Sequence, residues 1–305
     1  MNYFPVGSGG SLETTFLGFD KKLKGFIIEN VDRFAPSMSN LNFVVCNNEI
    51  YGVYRRLYRL TPMGWKSVSN SDTFTPETGQ VVVLNNEIHI LYNTTHKKWD
   101  GTQWVTVSTL PYKFYGVAVV YNDEIYILGG RQGAEDHHNY VYKFNGTTWT
   151  RLANLPSCYM LFGCVVYHGK IHIMGGRYSS NSTTTYESHY SFDGVTWTNE
   201  TSMPKTNYAF LTTVYEDKIH VIGGNDTNMT ASHYTWDGTS WTRENDINID
   251  SMPLTNGVAL VYGGRLRIFC RIPAVLVEDK WYYIPYINSE TVNGDGGNII
   301  IPVLK

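Results

Sequence analysis

The sequence predicts an all-β protein built as a β-propeller of six or seven four-stranded antiparallel blades. A segment that repeats with a period of about 40 residues is the first observation behind this prediction, because repeats of that length are typical of propeller blades. Each copy also contains two tight-turn signals. Of the 305 residues, 14% are aromatic, and aromatic rings pack well on pleated strands. A β-sandwich would not repeat itself in this way, so the repeat favours a propeller.

The first half of each repeat is predicted to form a β-hairpin, whose strands we call a and b. Residues 117–130, VAVVYNDEIYILGG, recur at 164–176 as CVVYHGKIHIMGG and at 212–224 as TTVYEDKIHVIGG. Two apolar runs flank a two-residue turn such as Asn122-Asp123, and these residue types tolerate the positive φ angles of a tight hairpin. Weaker copies, in which other dipeptides replace the final Gly-Gly, begin at Asn42, Gln80 and Val258.

The second half of each repeat is predicted to form a second hairpin, with strands c and d. Residues 142–149, YKFNGTTW, recur at 190–197 as YSFDGVTW and at 234–241 as YTWDGTSW. The central Asn-Gly and Asp-Gly pairs are strong signals of a two-residue turn. The Gly-Gly pair, the Tyr and the Trp seven residues after it resemble the kelch repeat over residues 42–284. This resemblance implies a kelch-type propeller.

The chain is predicted to form a single domain over residues 14–305, preceded by a flexible N-terminal arm at residues 1–13. Residues 14–30 are predicted to form a hairpin, and residues 298–305, NIIIPVLK, a strand. These terminal strands either complete a composite seventh blade or lie outside a six-bladed ring and attach it to another molecule. The sequence leaves both arrangements open.

Composition and charge exclude several classes of partner and location. The net charge of −3 and the scarcity of basic runs argue against nucleic-acid binding, which needs clustered positive charge. We expect no membrane insertion and no signal peptide, because no segment has the length and apolar character that either requires. The four cysteines are too scattered for a disulfide framework or a metal site. Synthesis in a cytoplasm without export is therefore expected.

Histidines recur at two positions of the repeat, but the pattern predicts no metal site and no cofactor. Equivalent positions in different blades point around the ring rather than towards each other, so packing or inter-blade hydrogen bonding is the expected role. No nucleophile or phosphate-loop motif occurs. Some kelch-like propellers are enzymes, but their catalytic residues have no match here, so we expect a protein without catalytic residues. The two sets are His89, His172 and His220 in strand b, and His96, His189 and His233 in strand c.

The loops between strands b and c and those between strands d and a leave the same end of each blade and should line one ligand-binding face. The b–c loops of blades 3 to 5 are longer than those of blades 1 and 2, and they are rich in Ser, Thr and Asn. In kelch domains that bind peptides, an arginine after Gly-Gly often faces the ligand, and the resemblance implies this role for Arg131 and Arg177, whereas Asn225 departs from the pattern. The alternative is that these arginines pair across neighbouring blades. The candidate residues are Arg131, His137, His138, Arg177, Tyr178 and Asn225 in the b–c loops, and Tyr112, Tyr115, Tyr159, Asn207 and Tyr208 in the d–a loops.

The style of the repeats resembles kelch-like proteins of the tails and baseplates of phages, and of phage-tail-like particles, from Gram-positive bacteria. This resemblance implies a non-enzymatic virion protein that binds other tail or baseplate proteins and that could form a homo-oligomer. Polar loops containing tyrosines suit a glycan of the host cell surface, because sugars are bound by aromatic rings together with hydrogen bonds. Two alternatives remain: a structural connector between tail proteins, and a carbohydrate-active kelch enzyme.

Overall fold

The chain is all-β, as the sequence predicts. The computed structural model describes residues 42–53, 56–61, 64–69, 79–130, 138–157, 160–178, 183–225, 232–247, 257–269, 274–277, 279–283, 286–287 and 298–299. The predicted arm at residues 1–13 and the predicted hairpin at residues 14–30 lie outside this part of the chain. Within it, no helix has the length and apolar character needed to cross a membrane.

Six repeats form six antiparallel sheets, each with its strands in chain order, which are the blades of a β-propeller. The second strands are buried almost along their whole length, because a middle strand of a blade is covered by neighbouring blades on both faces. Blade 1 comprises β1 (Asn42–Cys46), β2 (Glu49–Val53), β3 (Leu57–Thr61) and β4 (Gly64–Ser67); blade 2 comprises β5 (Gln80–Leu84), β6 (Glu87–Trp99) and β7 (Trp104–Phe114); blade 3 comprises β8 (Val117–Tyr121), β9 (Glu124–Leu128), β10 (Val141–Phe144) and β11 (Trp149–Arg151).

The remaining blades repeat this order, and a separate short pair of strands follows them. Blade 4 comprises β12 (Gly163–Tyr167), β13 (Lys170–Met174), β14 (His189–Phe192) and β15 (Trp197–Asn199); blade 5 comprises β16 (Leu211–Tyr215), β17 (Lys218–Ile222), β18 (His233–Trp236) and β19 (Trp241–Arg243); blade 6 comprises β20 (Val258–Tyr262), β21 (Arg265–Phe269), β22 (Ala274–Val277) and β23 (Lys280–Tyr283); β24 (Tyr286–Ile287) pairs with β25 (Asn298–Ile299).

Blade 2 has the four strand segments of the other blades, but two of them belong to one continuous strand, so the blade is formed by three strands. Strand β6 contains both segment b and segment c, and it folds back on itself near Asn93, whose φ of 51° is left-handed. The Nζ of Lys98 lies 2.8 Å from a carboxylate oxygen of Glu87, a distance that an extended strand of this length could not allow. Asn93 thus supplies the backbone conformation that the Gly-Gly pairs supply in blades 3 to 5.

The ring closes with six blades. The first strands of successive blades contact one another from β1 through β5, β8, β12, β16 and β20, and β20 in turn contacts β1. The rings of Phe43 in blade 1 and Phe269 in blade 6 pack with their centroids 4.9 Å apart. Of the two blade numbers that the sequence allows, the structure therefore shows six.

The hydrophobic core lies in the seams between blades. One buried cluster, for example, joins Leu128 of blade 3 to Ile171 and Phe192 of blade 4. Tyrosines at the ends of the first strands reinforce the seams at the side of the a–b turns. The hydroxyl of Tyr121 donates to the carbonyl of Gly169 in the next blade at 2.8 Å, and Tyr167 and Tyr215 make the equivalent bond one and two blades later.

Candidate binding face

The b–c and d–a loops are joined to each other by backbone hydrogen bonds at the end of the blades opposite the a–b turns. Arg177, which follows the Gly-Gly pair of blade 4, exchanges two bonds of 2.9 Å with Met160 in the d–a loop before blade 4. The amide of Asn225, the equivalent residue of blade 5, donates to the carbonyl of Tyr208 at 3.0 Å. The bases of the long loops of blades 4 and 5 are therefore fixed by the d–a loops beside them.

The Gly-Gly pair of blade 4 permits this close approach. Gly175 and Gly176 have φ angles of 60° and 97°, which glycine adopts without strain. A Cβ atom on Gly175 would lie 2.7 Å from the carbonyl oxygen of Asn207, and one on Gly176 would lie 2.9 Å from that of Met160. Any side chain at these positions would push the d–a loops away.

Several large side chains are exposed at this end of the propeller. Tyr115 is 36% exposed, Leu161 44% and Tyr178 51%. Leu161 also has a φ of 54°, a conformation that is unusual for leucine, and its carbonyl accepts a bond of 2.8 Å from the amide of Ala209. We call the surface formed by the following six residues the loop face: Tyr115, Leu161, Arg177, Tyr178, Tyr208 and Asn225.

Arg177 is held over an aromatic ring within the loop face. Its guanidinium carbon lies 4.7 Å from the centroid of the Tyr208 ring, in cation–π geometry. Its Nε is buried without a hydrogen-bond partner, and no acidic residue within the described part of the chain forms an ion pair with it. The Tyr208 ring thus positions a cation whose charge no described carboxylate balances.

Three residues predicted for the ligand-binding face lie in the interior instead. The hydroxyl of Tyr112 donates to the carbonyl of Gly129 at 2.7 Å, and burial raises the pKa of this phenol. The amide nitrogen of Asn207 donates to the carbonyl of Gly223 at 2.8 Å. His138 is buried and stacks on Tyr140. Tyr112 and Asn207 therefore support the loops from beneath, because each binds the carbonyl of the first glycine of a Gly-Gly pair.

The other candidate residues divide between the loop face and the part of the chain that is not described. Tyr115, Arg177, Tyr178, Tyr208 and Asn225 lie on the loop face. Outside the described residues lie Arg131, His137 and Tyr159.

Two features of the structure were not found from the sequence. Leu161 was missed because a single leucine in a loop carries no signal of exposure. The two histidine sets were treated separately, although they face each other within blades: a ring nitrogen of His172 lies 2.9 Å from one of His189. The expected bonds between blades are thus bonds within one blade. The signal that could have revealed this is register, since hairpin pairing places the third residue of strand b diagonal to the first residue of strand c.

The described residues bring together no group of three His, Cys, Asp or Glu side chains that could hold a metal ion. Ser191, His172 and Glu200 lie near one another in blade 4, but the serine hydroxyl donates to Glu200 at 2.6 Å and is buried. A serine buried in the interior lacks the access to substrate that a nucleophile needs.

Comparison with known proteins identifies a motif in blade 3. A family model for the Kelch motif matches residues 114–156. Kelch-like protein 40 of Xenopus laevis is 34% identical over 90 residues, which are 28% of this chain and 15% of that protein. Kelch domain-containing protein SSO1033 of Saccharolobus solfataricus is 35% identical over 81 residues, 26% of this chain and 10% of that protein. The matches thus span no more than about a seventh of these relatives.

A solved structure agrees over most of the fold. The structure of YjhT superposes with a TM-score of 0.68 on 83% of this chain and 99% of its own, at 12% sequence identity. At that identity the likeness establishes the fold alone. The chain therefore contains a Kelch motif and folds as a β-propeller of six four-stranded blades.

Proposed function

We propose that this propeller is a non-enzymatic binding module that recognises a protein partner through the loop face. Kelch propellers in general mediate protein–protein interactions. The observation that carries the proposal here is the grouping of Tyr115, Leu161 and Tyr178, three large exposed side chains, with the guanidinium of Arg177 on one end of the disc. Tyrosine and arginine are enriched among the residues that dominate binding energy at protein interfaces.

The rigid base of the loops supports this role. Arg177 is fixed through its backbone by Met160 and through its side chain by Tyr208. A residue that is already held in place loses little conformational entropy when a partner binds. An acidic group on the partner would fit beside Arg177, because a guanidinium binds a carboxylate through two parallel hydrogen bonds.

The resemblance of the repeats to phage tail and baseplate proteins leads us to propose a virion as the setting and another tail protein as the partner. A host-surface glycan is the second candidate. The exposed ring of Tyr178, at 51%, favours it, because aromatic rings stack on sugar faces, and the sequence continues after Tyr178 with the polar residues Ser179 and Ser180.

Three variants test the proposed face. Leu161→Asp places a charge on the loop face and introduces a residue type that tolerates the positive φ of this position better than leucine does. Tyr178→Ala removes the most exposed ring of the loop face. Val195→Asp is the matched control, because Val195 is 73% exposed but lies in the c–d turn at the other end of blade 4.

A random peptide library and a glycan panel should be screened against the unmodified protein, and the binders retested on the variants. We expect selected peptides to lose about thirtyfold in affinity for Tyr178→Ala and Leu161→Asp, the size typical of an interface hot spot, and to keep their affinity for Val195→Asp. Glycan binders with the same pattern would favour the second candidate. Binders that respond to Val195→Asp alone, or no binders from either source, would refute the proposed face.

A further inference from the structure

Three buried pairs of histidines lie in the propeller, one each in blades 2, 4 and 5. The facing ring nitrogens are 2.9 Å apart in His89 and His96. They are 2.9 Å apart in His172 and His189, and 2.8 Å apart in His220 and His233. All six imidazoles are at most 5% exposed: His89, His96, His172, His189, His220 and His233.

Each pair also forms part of a seam between blades. The strand c histidine packs edge-on against aromatic rings of the following blade. His96 lies 5.0 Å from the ring of Phe144 in blade 3, His189 5.1 Å from that of Trp236 in blade 5, and His233 5.5 Å from that of Trp281 in blade 6. The pairs therefore occupy the seams between blades 2 and 3, 4 and 5, and 5 and 6.

Hydrogen-bond partners determine where the protons lie in blade 5. His220 Nε2 faces the carbonyl oxygen of Tyr215 at 3.1 Å, and an oxygen of this kind can only accept. His220 must therefore donate through Nε2 and accept through Nδ1, so His233 donates to it through Nε2. With one proton on each ring, this pair is complete in the neutral state.

Hydrogen-bond partners place the protons of the blade 4 pair as well. His189 Nδ1 faces the carbonyl oxygen of Thr201 at 3.3 Å, while its Nε2 faces Nδ1 of His172. Because a carbonyl oxygen can only accept, His189 donates through Nδ1 and accepts through Nε2, so His172 donates to it through Nδ1. With one proton on each ring, this pair is also complete in the neutral state.

Few charges compensate a protonated pair. Glu87 approaches His89 to 3.9 Å, and within the described chain this is the one carboxylate within 4 Å of a paired imidazole. Glu200 and Glu244 are already hydrogen-bonded to hydroxyl groups. The charged and titratable groups around the pairs are Glu87 and Lys98 in blade 2, Lys170, His168 and Glu200 in blade 4, and Glu216, Lys218 and Glu244 in blade 5.

Burial away from water opposes protonation at every position, because a charged imidazole loses its hydration in the seam. The unfolded chain takes up protons near the ordinary histidine pKa, whereas the folded chain does not, so stability is greatest above that value and is lost as the pH falls below it. Burial lowers the pKa to about 3 for His96 and His233, to about 4 for His89, His172 and His189, and below its ordinary value for His220.

We propose that the three histidine pairs form an acid-sensitive lock on the seams between blades 2 and 3, 4 and 5, and 5 and 6. Blade 3 provides an internal comparison, because Tyr126 and Val141 occupy the positions that His172 and His189 occupy in blade 4. The seam between blades 3 and 4 is thus built from residues that do not titrate between neutral and mildly acidic pH. Acid should loosen the other three seams while this one holds.

Exchanging residues between blades 3 and 4 tests the proposal. We would measure urea unfolding of the unmodified protein, of His172→Tyr with His189→Val, and of Tyr126→His with Val141→His. For the unmodified protein, each buried histidine should lower the folding constant about tenfold between about pH 7.5 and about pH 5.5. Over this pH range, the folding constant of the first double variant should fall about a hundredfold less than that of the unmodified protein. The folding constant of the second double variant should fall about a hundredfold more.

The unmodified protein alone also decides the question if a variant does not fold. Its unfolding should take up about five protons at about pH 5.5, where unfolded histidines are mostly charged and folded ones are neutral. Hydrogen exchange should show strands β14 and β18 opening before β12 as the pH falls. Uptake of one proton or fewer, or a His172→Tyr, His189→Val variant that keeps the full pH dependence, would overturn the proposal.

Discussion

Replacing Asn207 by Asp should destabilise the propeller strongly, and the effect should shrink on acidification. Asn207 is fully buried; its Nδ2 donates to the carbonyl of Gly223 at 2.8 Å, and its Oδ1 accepts from the amide of Tyr208 at 2.9 Å. Aspartate has the same shape and keeps the acceptor, but an ionised carboxylate cannot donate. The Gly223 carbonyl would face a buried negative charge.

The destabilisation caused by Asn207→Asp has a lower and an upper limit. An unsatisfied buried carbonyl costs about 1–3 kcal/mol, which sets the lower limit. Protonating the carboxyl restores the donor, and at about pH 8 this costs about 5.6 kcal/mol for a group with an ordinary pKa, which sets the upper limit. At about pH 6.5 the same protonation costs about 3.5 kcal/mol, so the destabilisation of Asn207→Asp should decrease by up to about 2 kcal/mol.

Urea unfolding of Asn207→Asp and of the unmodified protein at both pH values measures this difference. Asn145→Asp is the matched control, because Asn145 occupies an exposed c–d turn where blades 2, 4 and 5 have Asp100, Asp193 and Asp237, and it should change stability little. A destabilisation below about 1 kcal/mol, or one that grows on acidification, would refute the assignment of Asn207 as the donor that supports the Gly-Gly pair of blade 5.

Three further predictions concern the seams, a thiol and the loop face. Tyr121→Phe removes the hydroxyl that bridges blade 3 to Gly169 of blade 4, and it should lower the free energy of unfolding by about 1 kcal/mol in urea titrations. Burial of the thiol raises the pKa of the half-buried Cys164 to about 12, so a thiol reagent at neutral pH should modify it much more slowly in the native than in the unfolded protein, and equally rapid modification of both would contradict this. Arg177→Gln should weaken the binding of acidic peptides and reduce its dependence on salt, which isothermal titration at two salt concentrations would measure.

The strands could be predicted because the turns between them are specified by residue types that are adjacent in the sequence. Asn122 and Asp123 have φ angles of 50° and 57°, as the predicted hairpin turn requires. Blade 2 shows how the pattern survives without Gly-Gly, since Asn93 takes the left-handed conformation there. The number of blades has no local signal, because it depends on contacts such as that of Phe43 with Phe269, which are far apart in the sequence.

The site was predicted less completely than the fold. Loop position predicted that Tyr112 and Asn207 belong to the end of the disc that carries the proposed binding face, but it could not show that their polar atoms point inward to glycine carbonyls. A tight Gly-Gly turn next to another loop leaves a carbonyl that must be satisfied, and a long polar side chain from that loop is the available donor. Similar reasoning from register, applied to His172 and His189, would have revealed the pair.

The loop face and the histidine pairs meet at one seam. The stacking of Arg177 on Tyr208 joins the b–c loop of blade 4 to the d–a loop that leads into blade 5, so this contact spans the seam between blades 4 and 5. His189 begins strand c of blade 4 at the point where that b–c loop ends, and it packs against Trp236 across the same seam. If protonation loosens this seam as we propose, we expect it to disturb the two loops that position Arg177. The proposed lock and the proposed binding face thus share one seam, and we expect acid to weaken binding before the propeller unfolds.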